Sequence, residues 1–259
     1  MCRWLNIPRS SYYYQAVDPV SEADLEDKIT YIFLESKSIY GARKIKKCLE
    51  KDGIILSRRR IRRIMKRLNL VSVYQKAAFK PHSRGKNEAP IPNRLDRQFD
   101  QERPLEALVT DLTYVRVDRR WAYVCLTIDF FNREIIGLTV GWHNTAELVK
   151  QAIQSIPYAL TKAKLFHSDR GKEFDNQLID EMLEAFGITR SLSQAGCPYD
   201  NAVAESTYRS FKLEFINQET FQSLEELALK TKGYVHWWNY HRIHGSLNYQ
   251  TPMTKRIIA

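Results

Sequence analysis

Three acidic residues in the second half of the chain stand where a charged side chain costs free energy unless it is paired or binds a metal ion. Asp111 interrupts the strand-like run ALVTDLTYVRV. Asp169 follows another short apolar run and precedes a turn glycine, Gly171. Glu205 lies in a helical pattern that begins near Asp200. Three carboxylates without histidine or cysteine form an all-oxygen site, which suits Mg²⁺ or Mn²⁺.

Such a site predicts phosphodiester chemistry. Two divalent ions about 4 Å apart can activate a water or a 3′-hydroxyl and stabilise the oxygen that leaves. Each acid taken singly also has an ordinary explanation. Asp111 can flank a turn, Asp169 can cap a helix, and Glu205 can pair with Arg209 four residues further on. The residue types alone therefore leave both explanations open.

The helix predicted to carry Glu205 also carries polar and basic side chains. At about 100° per residue, Glu205, Arg209 and Lys212 cluster on one face, and Asn201 lies beside them. This pattern predicts that Asn201, Arg209 and Lys212 contact DNA phosphates close to the acids.

The elements that position the acids are predicted from a change of pattern at Leu105. Three strand-like runs follow one another and predict an antiparallel meander. The next elements are a helix over 145–160, a fourth strand over 163–166, a helix over 174–186 and a fifth strand over 188–192. Strands followed by alternating helices and strands indicate a mixed α/β sheet flanked by helices.

The first third of the chain predicts a small all-α region with a basic surface. Helical periods run over 22–35 and 42–51, and Ser57 caps a third helix after a turn at Gly53. Two short helices joined by a tight turn are typical of a helix-turn-helix. Five cations of the third helix lie away from its apolar stripe and are predicted to contact duplex DNA: Arg58, Arg59, Arg62, Arg63 and Lys66. The alternative is a solvated helix face.

Two further segments complete the predicted organisation. Residues 71–104 are basic, contain several prolines and predict an extended linker. The pattern after Phe221 is helical again and ends in aromatic residues, for which core packing is favoured over base stacking. Arg242 is predicted to be the best phosphate ligand of this tail.

The composition supports a polyanionic partner and argues against a membrane. The formal charge is +10 at pH 7. No run of about 18 apolar residues occurs, and the first residues lack the apolar segment of a signal peptide. The scattered cysteines predict reduced thiols in a cytoplasmic protein, without disulfides or a zinc site: Cys2, Cys48, Cys125 and Cys197.

Spacing and motifs together resemble a known family. Between Asp169 and Glu205 lie 35 residues, and Lys212 follows seven residues later, which resembles the D-D-E signature of retroviral integrases and related transposases. VTDLTYV, LTIDFFNREIIG, FHSDRGKEF, SLSQAGCPYDNAVAESTYRSFKLEF and YHRIHGSLNYQTP resemble transposases of the IS-three group of bacterial insertion sequences. CRWLNIPRSSYYYQ is similar to the usual opening of the group's second reading frame, and residues 40–70 to its internal helix-turn-helix.

The resemblance implies a fold and a set of domains. A helix-turn-helix-like DNA-binding region over 1–70 and the basic linker over 71–104 precede a ribonuclease H-like catalytic core over 105–217. A helical extension over 218–259 follows. By this resemblance, Asp111, Asp169 and Glu205 are the catalytic and metal-binding residues, because they match the D-D-E pattern.

The resemblance also implies an activity and its partners. The activity is strand cleavage at insertion-sequence ends and strand transfer, with Mg²⁺ (or Mn²⁺), two ions in all. The partners are double-stranded DNA of the element ends and the target, further copies of the chain, and an upstream-frame product of the same element. The expected location is the bacterial cytoplasm, on the nucleoid when DNA is bound.

Two other functions compete with this one. One is a non-catalytic DNA-binding regulator with a degenerate nuclease fold, which three intact acids disfavour. The other is a ribonuclease H-like nuclease without strand transfer, which the basic N-terminal region and the helical tail disfavour.

Overall fold

The computed structural model describes three long parts of the chain, residues 21–75, 91–194 and 198–259, together with Trp4, Pro8, Tyr12 and Tyr13. Most of the quoted opening of the chain, the middle of the predicted linker and Cys197 lie outside the described residues. The chain divides into two compact units, residues 1–72 and 73–259.

The described residues of the first unit form three helices, α1 (Glu22–Glu35), α2 (Ala42–Lys51) and α3 (Arg58–Arg67). Apolar residues at helical spacing meet in its core: Leu25, Ile29, Ile45, Leu49, Ile61 and Ile64. Ser57 caps α3 by accepting a hydrogen bond from the backbone N–H of Arg60 at 3.2 Å. Gly53, between α2 and α3, has a φ of +76°, which a side chain would strain. The predicted order of helix, turn and helix is confirmed.

The second unit is built on a five-stranded sheet. Its strands are β1 (Ala107–Val117), β2 (Arg120–Asp129), β3 (Ile135–Gly141), β4 (Leu165–Ser168) and β5 (Thr189–Leu192), in the spatial order β3-β2-β1-β4-β5. The first three strands form an antiparallel meander, while β4 is parallel to both β1 and β5. This is the predicted ribonuclease H-like sheet.

Five helices accompany the sheet: α4 (Ala146–Gln154), α5 (Gln177–Ala185), α6 (Ala202–Glu214), α7 (Leu224–Tyr240) and α8 (Pro252–Ile258). α4 and α5 pack on one face through a continuous apolar core that includes Leu108, Val149, Phe166 and Ile179. The sheet is therefore central, and its strands hold their side chains in a fixed register.

The predicted linker and the C-terminal helices are both attached to this unit. Leu95 is buried, and its backbone N–H donates to Ser191 Oγ on β5 at 3.2 Å. Arg256 on α8 donates to Asp129 at 2.7 Å and also binds Glu134. The domain boundaries given above stay predictions. No helix in the described parts of the chain is long and apolar enough to cross a membrane.

Candidate active site

Neighbouring strands bring two of the predicted acids together. β1 and β4 are parallel, with Val109 opposite His167. Continuing this register by two residues places Asp111 opposite Asp169, and residues two apart along a strand point to the same face. The negative charge of Asp169 raises the pKa of Asp111, which agrees with this placement.

The pKa of Asp111 reflects this crowding. Burial raises the pKa most, the negative charge of Asp169 adds to the effect, and the pKa reaches about 8. The backbone N–H of Leu112 acts in the opposite direction by donating to Asp111 Oδ1 at 2.7 Å. Glu205 and Glu173 raise the pKa further by smaller amounts. All four carboxylates thus share one electrostatic environment.

The turn after β4 is built around Asp169. Its Oδ1 accepts a hydrogen bond from the backbone N–H of Gly171 at 2.9 Å. Arg170 points into the protein, where its Nε donates to the carbonyl oxygen of Ser193 at 2.6 Å. A Cβ at Gly171 would lie 2.6 Å from the carboxyl carbon of Glu173, so glycine leaves room for that carboxylate.

Glu173 is the acid that residue types and spacing did not single out. Acidic residues are common in this sequence, and nothing in the alternation of strands and helices distinguishes this one. The available signal is its place in FHSDRGKEF, two residues after the glycine whose missing side chain makes room for it.

The third predicted acid, Glu205, lies on α6, which is hydrogen-bonded to β1. The hydroxyl of Tyr208 donates to the carbonyl oxygen of Asp111 and accepts from the backbone N–H of Leu126 at 2.7 Å, which fixes the helix against the sheet. Glu205 lies three residues earlier, in the first turn of α6, and is exposed. Desolvation raises the pKa of Glu205 above its ordinary value.

The turn before α6 is anchored by a buried acid. Asp200 accepts hydrogen bonds from Arg97 Nε at 2.8 Å and from the backbone N–H of Gln194 at 3.0 Å. Burial alone would raise the pKa of Asp200, but these donors lower it below the ordinary value. The segment before α6 is thereby tied to Arg97, which precedes the sheet, and to Gln194, which follows β5.

The donors at this site are carboxylate oxygens, which suit a hard divalent cation. Across residues 21–75, 91–194 and 198–259, no three histidine, cysteine or acidic side chains converge closely enough to hold one ion. Asp111 and Asp169 are brought together, and Glu205 lies further out, within electrostatic reach of Asp111. The crowded charges around Asp111 are of the kind that a bound cation stabilises.

The predicted phosphate contacts on α6 have different environments. Arg209 is exposed, and Lys212 is half-buried with its Nζ 4.5 Å from the ring centroid of Tyr114. Both contacts stay predictions. Asn201 is only 5% exposed, so the structure does not support its predicted contact with DNA.

Arg242, which was predicted to contact phosphate, lies in the interior of the second unit. Arg242 is 7% exposed, and it donates to the buried carboxylate of Glu214 through Nε at 2.8 Å and Nη2 at 2.6 Å. Its guanidinium also lies 4.3 Å from the ring of Trp238. Burial alone would lower the pKa of Arg242, but the Glu214 carboxylate raises it above the ordinary value. A guanidinium held in this way supports the tail and α6 instead.

The predicted DNA-binding side chains of α3 lie on its outer surface. Arg58, Arg59, Arg62, Arg63 and Lys66 are all exposed. Two other arginines of this region turn toward α1, where Arg60 binds Glu22 at 2.6 Å and Arg67 binds both Glu22 and Glu26. The cations of this region therefore divide into a set paired with α1 and an outward set.

The sheet order and the paired aspartates define the class of this unit, a ribonuclease H-like polynucleotidyl transferase core. Residues 101–198 and 186–252 each match the family "Integrase core domain", and residues 20–78 match "HTH-like domain".

Curated relatives extend over most of the chain. InsK of insertion sequence element IS150 from Escherichia coli (strain K12) is 29% identical over 99% of this chain and 92% of InsK. The transposase for insertion sequence element IS904 from Lactococcus lactis is 29% identical over 88% of this chain and 91% of the relative. The magnesium-bound catalytic core domain of HTLV-2 integrase aligns at a TM-score of 0.44, with 15% identity over 59% of this chain and 97% of that one.

The chain thus combines a match to an HTH-like domain with matches to an integrase core domain, and it is similar over most of its length to transposases of insertion sequences. The resemblance drawn from the sequence motifs is thereby confirmed.

Proposed function

We propose that this transposase cleaves DNA strands at the ends of an insertion sequence and joins the freed 3′-hydroxyl to a second phosphodiester. The observation that carries the proposal is the pair Asp111 and Asp169 on adjacent parallel strands, with Glu205 presented by the helix fixed to the same strand. The pKa of Asp111 is raised by its burial and by the negative charge of Asp169, which is typical of acids at functional sites.

Each residue has a definite role in this proposal. Asp111 and Asp169 hold divalent cations at the edge between β1 and β4, and Glu205 completes their ligands. Two bound Mg²⁺ ions would supply activation of the attacking hydroxyl and stabilisation of the leaving oxygen. Tyr208 keeps α6 against β1, so that Glu205 stays at the level of the aspartates. Arg209 and Lys212 hold phosphates of the DNA being cut.

The proposed partners follow from the charge and the two units. The outward cations of α3 bind double-stranded DNA, and the catalytic unit acts on element ends and target DNA. Cleavage at two ends favours an assembly of several copies of the chain. An upstream-frame product of the same element is a further proposed partner, in the bacterial cytoplasm and on its nucleoid.

The test is a cleavage and joining assay on a duplex that contains an element end. The full chain is assayed alone and as a fusion with the upstream-frame product, with Mg²⁺, with Mn²⁺ and with chelator. Asp111→Asn and Asp169→Asn keep the side-chain shape and are each expected to slow product formation by roughly a thousandfold. Asp100→Asn is the matched control, since the Asp100 side chain is fully exposed.

Three results would contradict the proposal. Full activity in Asp111→Asn would remove the acidic pair from the reaction. Tight DNA binding without cleavage under every condition would favour a regulator. Cleavage without joined products would favour a nuclease.

A further inference from the structure

The far ends of β1 and β2 carry aromatic side chains that the catalytic roles do not use. Tyr114 is 45% exposed and Trp121 is 50% exposed, and their rings meet edge to face at 5.2 Å between centroids. Tyr114 lies opposite Tyr123, and Arg116 lies opposite Trp121, so all four share one face of the sheet.

This face changes character along the strands. Nearer the centre of the sheet, Leu112 and Tyr123 pack against the apolar core beneath α4 and α5. Beyond them the same face of the β1–β2 hairpin is exposed, and the rings of Tyr114 and Trp121 face solvent. Large exposed rings next to a buried core are features of interaction sites.

Cations accompany each of the rings. Lys212 on α6 lies 4.5 Å from the centroid of Tyr114, and the guanidinium of Arg116 lies 5.3 Å from that of Trp121. On the opposite face of the hairpin, Arg120 lies 4.3 Å from the ring of Trp142. The hairpin YVRVDRRW contains three arginines and a single acid. The surface is therefore both aromatic and positively charged.

The aromatic–cation patch (Tyr114, Arg116, Trp121 and Lys212) lies on two elements that also carry the acids. Tyr114 follows Asp111 by three residues of β1, about 10 Å along the strand, and therefore points to the opposite face of the sheet. Lys212 follows Glu205 by two turns of α6, also about 10 Å.

We propose that the aromatic–cation patch binds unpaired bases of DNA. Tyr114 and Trp121 stack on the bases, while Arg116 and Lys212 hold the backbone. Bases inside a duplex already stack on their neighbours, so exposed rings favour an unpaired segment. That the bound strand belongs to the DNA being cut rests on the proposed function, whereas the binding of unpaired bases does not.

A second copy of the chain is a less favourable occupant. In a symmetric dimer the same patch would face itself and bring its cations together. The whole chain carries a formal charge of +10, which adds to this repulsion. A polyanion carries the complementary charge.

The test compares two DNA ligands of equal duplex length, a blunt duplex and a duplex with a single-stranded flank of three nucleotides. Fluorescence anisotropy of labelled DNA with the full chain gives the affinities, in chelator so that no cleavage occurs. Trp121→Ala is expected to weaken binding of the flanked duplex about tenfold and to leave the blunt duplex unchanged. Trp121→Phe keeps a stacking ring and is expected to retain most of the affinity.

Phe186→Ala is the matched control, because Phe186 is 45% exposed and lies at the end of α5. Equal affinity of wild type and Trp121→Ala for the flanked duplex would overturn the proposal, with the Phe variant reporting on folding. Equal weakening for both ligands would also overturn it. A change from dimer to monomer with DNA binding intact would assign the patch to a protein interface. An absence of DNA cleavage and joining by the wild-type chain would contradict the proposed function without affecting these affinities.

Discussion

The two ends of α6 use glutamate in opposite ways. Glu205, in the first turn, is exposed and adds negative charge to the surroundings of Asp111. Glu214, in the last turn, is buried, and its carboxylate accepts hydrogen bonds from Arg242 and from the Tyr234 hydroxyl at 2.8 Å.

The difference separates a proposed catalytic acid, Glu205, from a structural one, Glu214. A buried carboxylate is tolerated when a cation and hydroxyl donors compensate its charge, as at Glu214. Acids crowded together without a cation oppose one another's ionisation and are suited to binding one. Both residues are glutamates in a terminal turn of the same helix. The groups that surround each carboxylate therefore determine its role.

The largest expected effect is on catalysis at the first end. Glu205→Gln keeps the shape of the side chain but removes a metal-binding charge, so cleavage and joining should slow roughly a thousandfold. The free energy of unfolding should change by less than about 1 kcal/mol, since Glu205 is exposed. Retained activity, measured with Mg²⁺ on an end-containing duplex, would place Glu205 outside the site.

The second prediction concerns stability at the other end. Glu214→Gln leaves the buried guanidinium of Arg242 without its counter-charge, which should lower the free energy of unfolding by about 3 kcal/mol. Urea unfolding followed by circular dichroism measures this. The double variant Glu214→Gln/Arg242→Met should recover part of the loss, because no unpaired charge remains. A double variant less stable than the single one would contradict a role in charge compensation.

The third prediction extends the comparison to cations. Neutralising Arg58, Arg62 and Lys66 to glutamine should weaken duplex binding by about tenfold or more and reduce the slope of log K against log salt by about 2 to 3. Arg60→Gln is the control, since Arg60 is paired with Glu22. An unchanged affinity and slope in an anisotropy titration would make the outward set of α3 a solvated face.

The fourth prediction concerns the pH dependence of stability that Asp111 introduces. Its pKa rises from an ordinary 3.8 to about 8 on folding, so the folded protein holds a proton that the unfolded chain releases. In chelator, the free energy of unfolding should fall as pH rises from about 4 to about 8. One group contributes a slope of at most about 1.4 kcal/mol per pH unit. Asp111→Asn should lack this decline, and parallel curves from pH 5 to 8 for both proteins would contradict the assignment.

The sequence by itself determined the elements and the three candidate acids. Apolar periods of the strands and helices are local, so β1, β4 and α6 could be located from neighbouring residues. Spacing and motifs then connected Asp111, Asp169 and Glu205 to the D-D-E pattern. Ser57 and Gly53 marked the start and the turn of α3 for equally local reasons.

Only the tertiary structure decided which charged side chains are paired with a side chain of opposite charge. Arg242 meets Glu214 across 28 residues of sequence, and Arg256 meets Glu134 across 122. Such pairs depend on how distant elements pack, and a local pattern gives an exposed and a buried arginine the same appearance. Glu173 joined the acids for a similar reason, because its closeness to Asp111 depends on the turn after β4 lying beside β1.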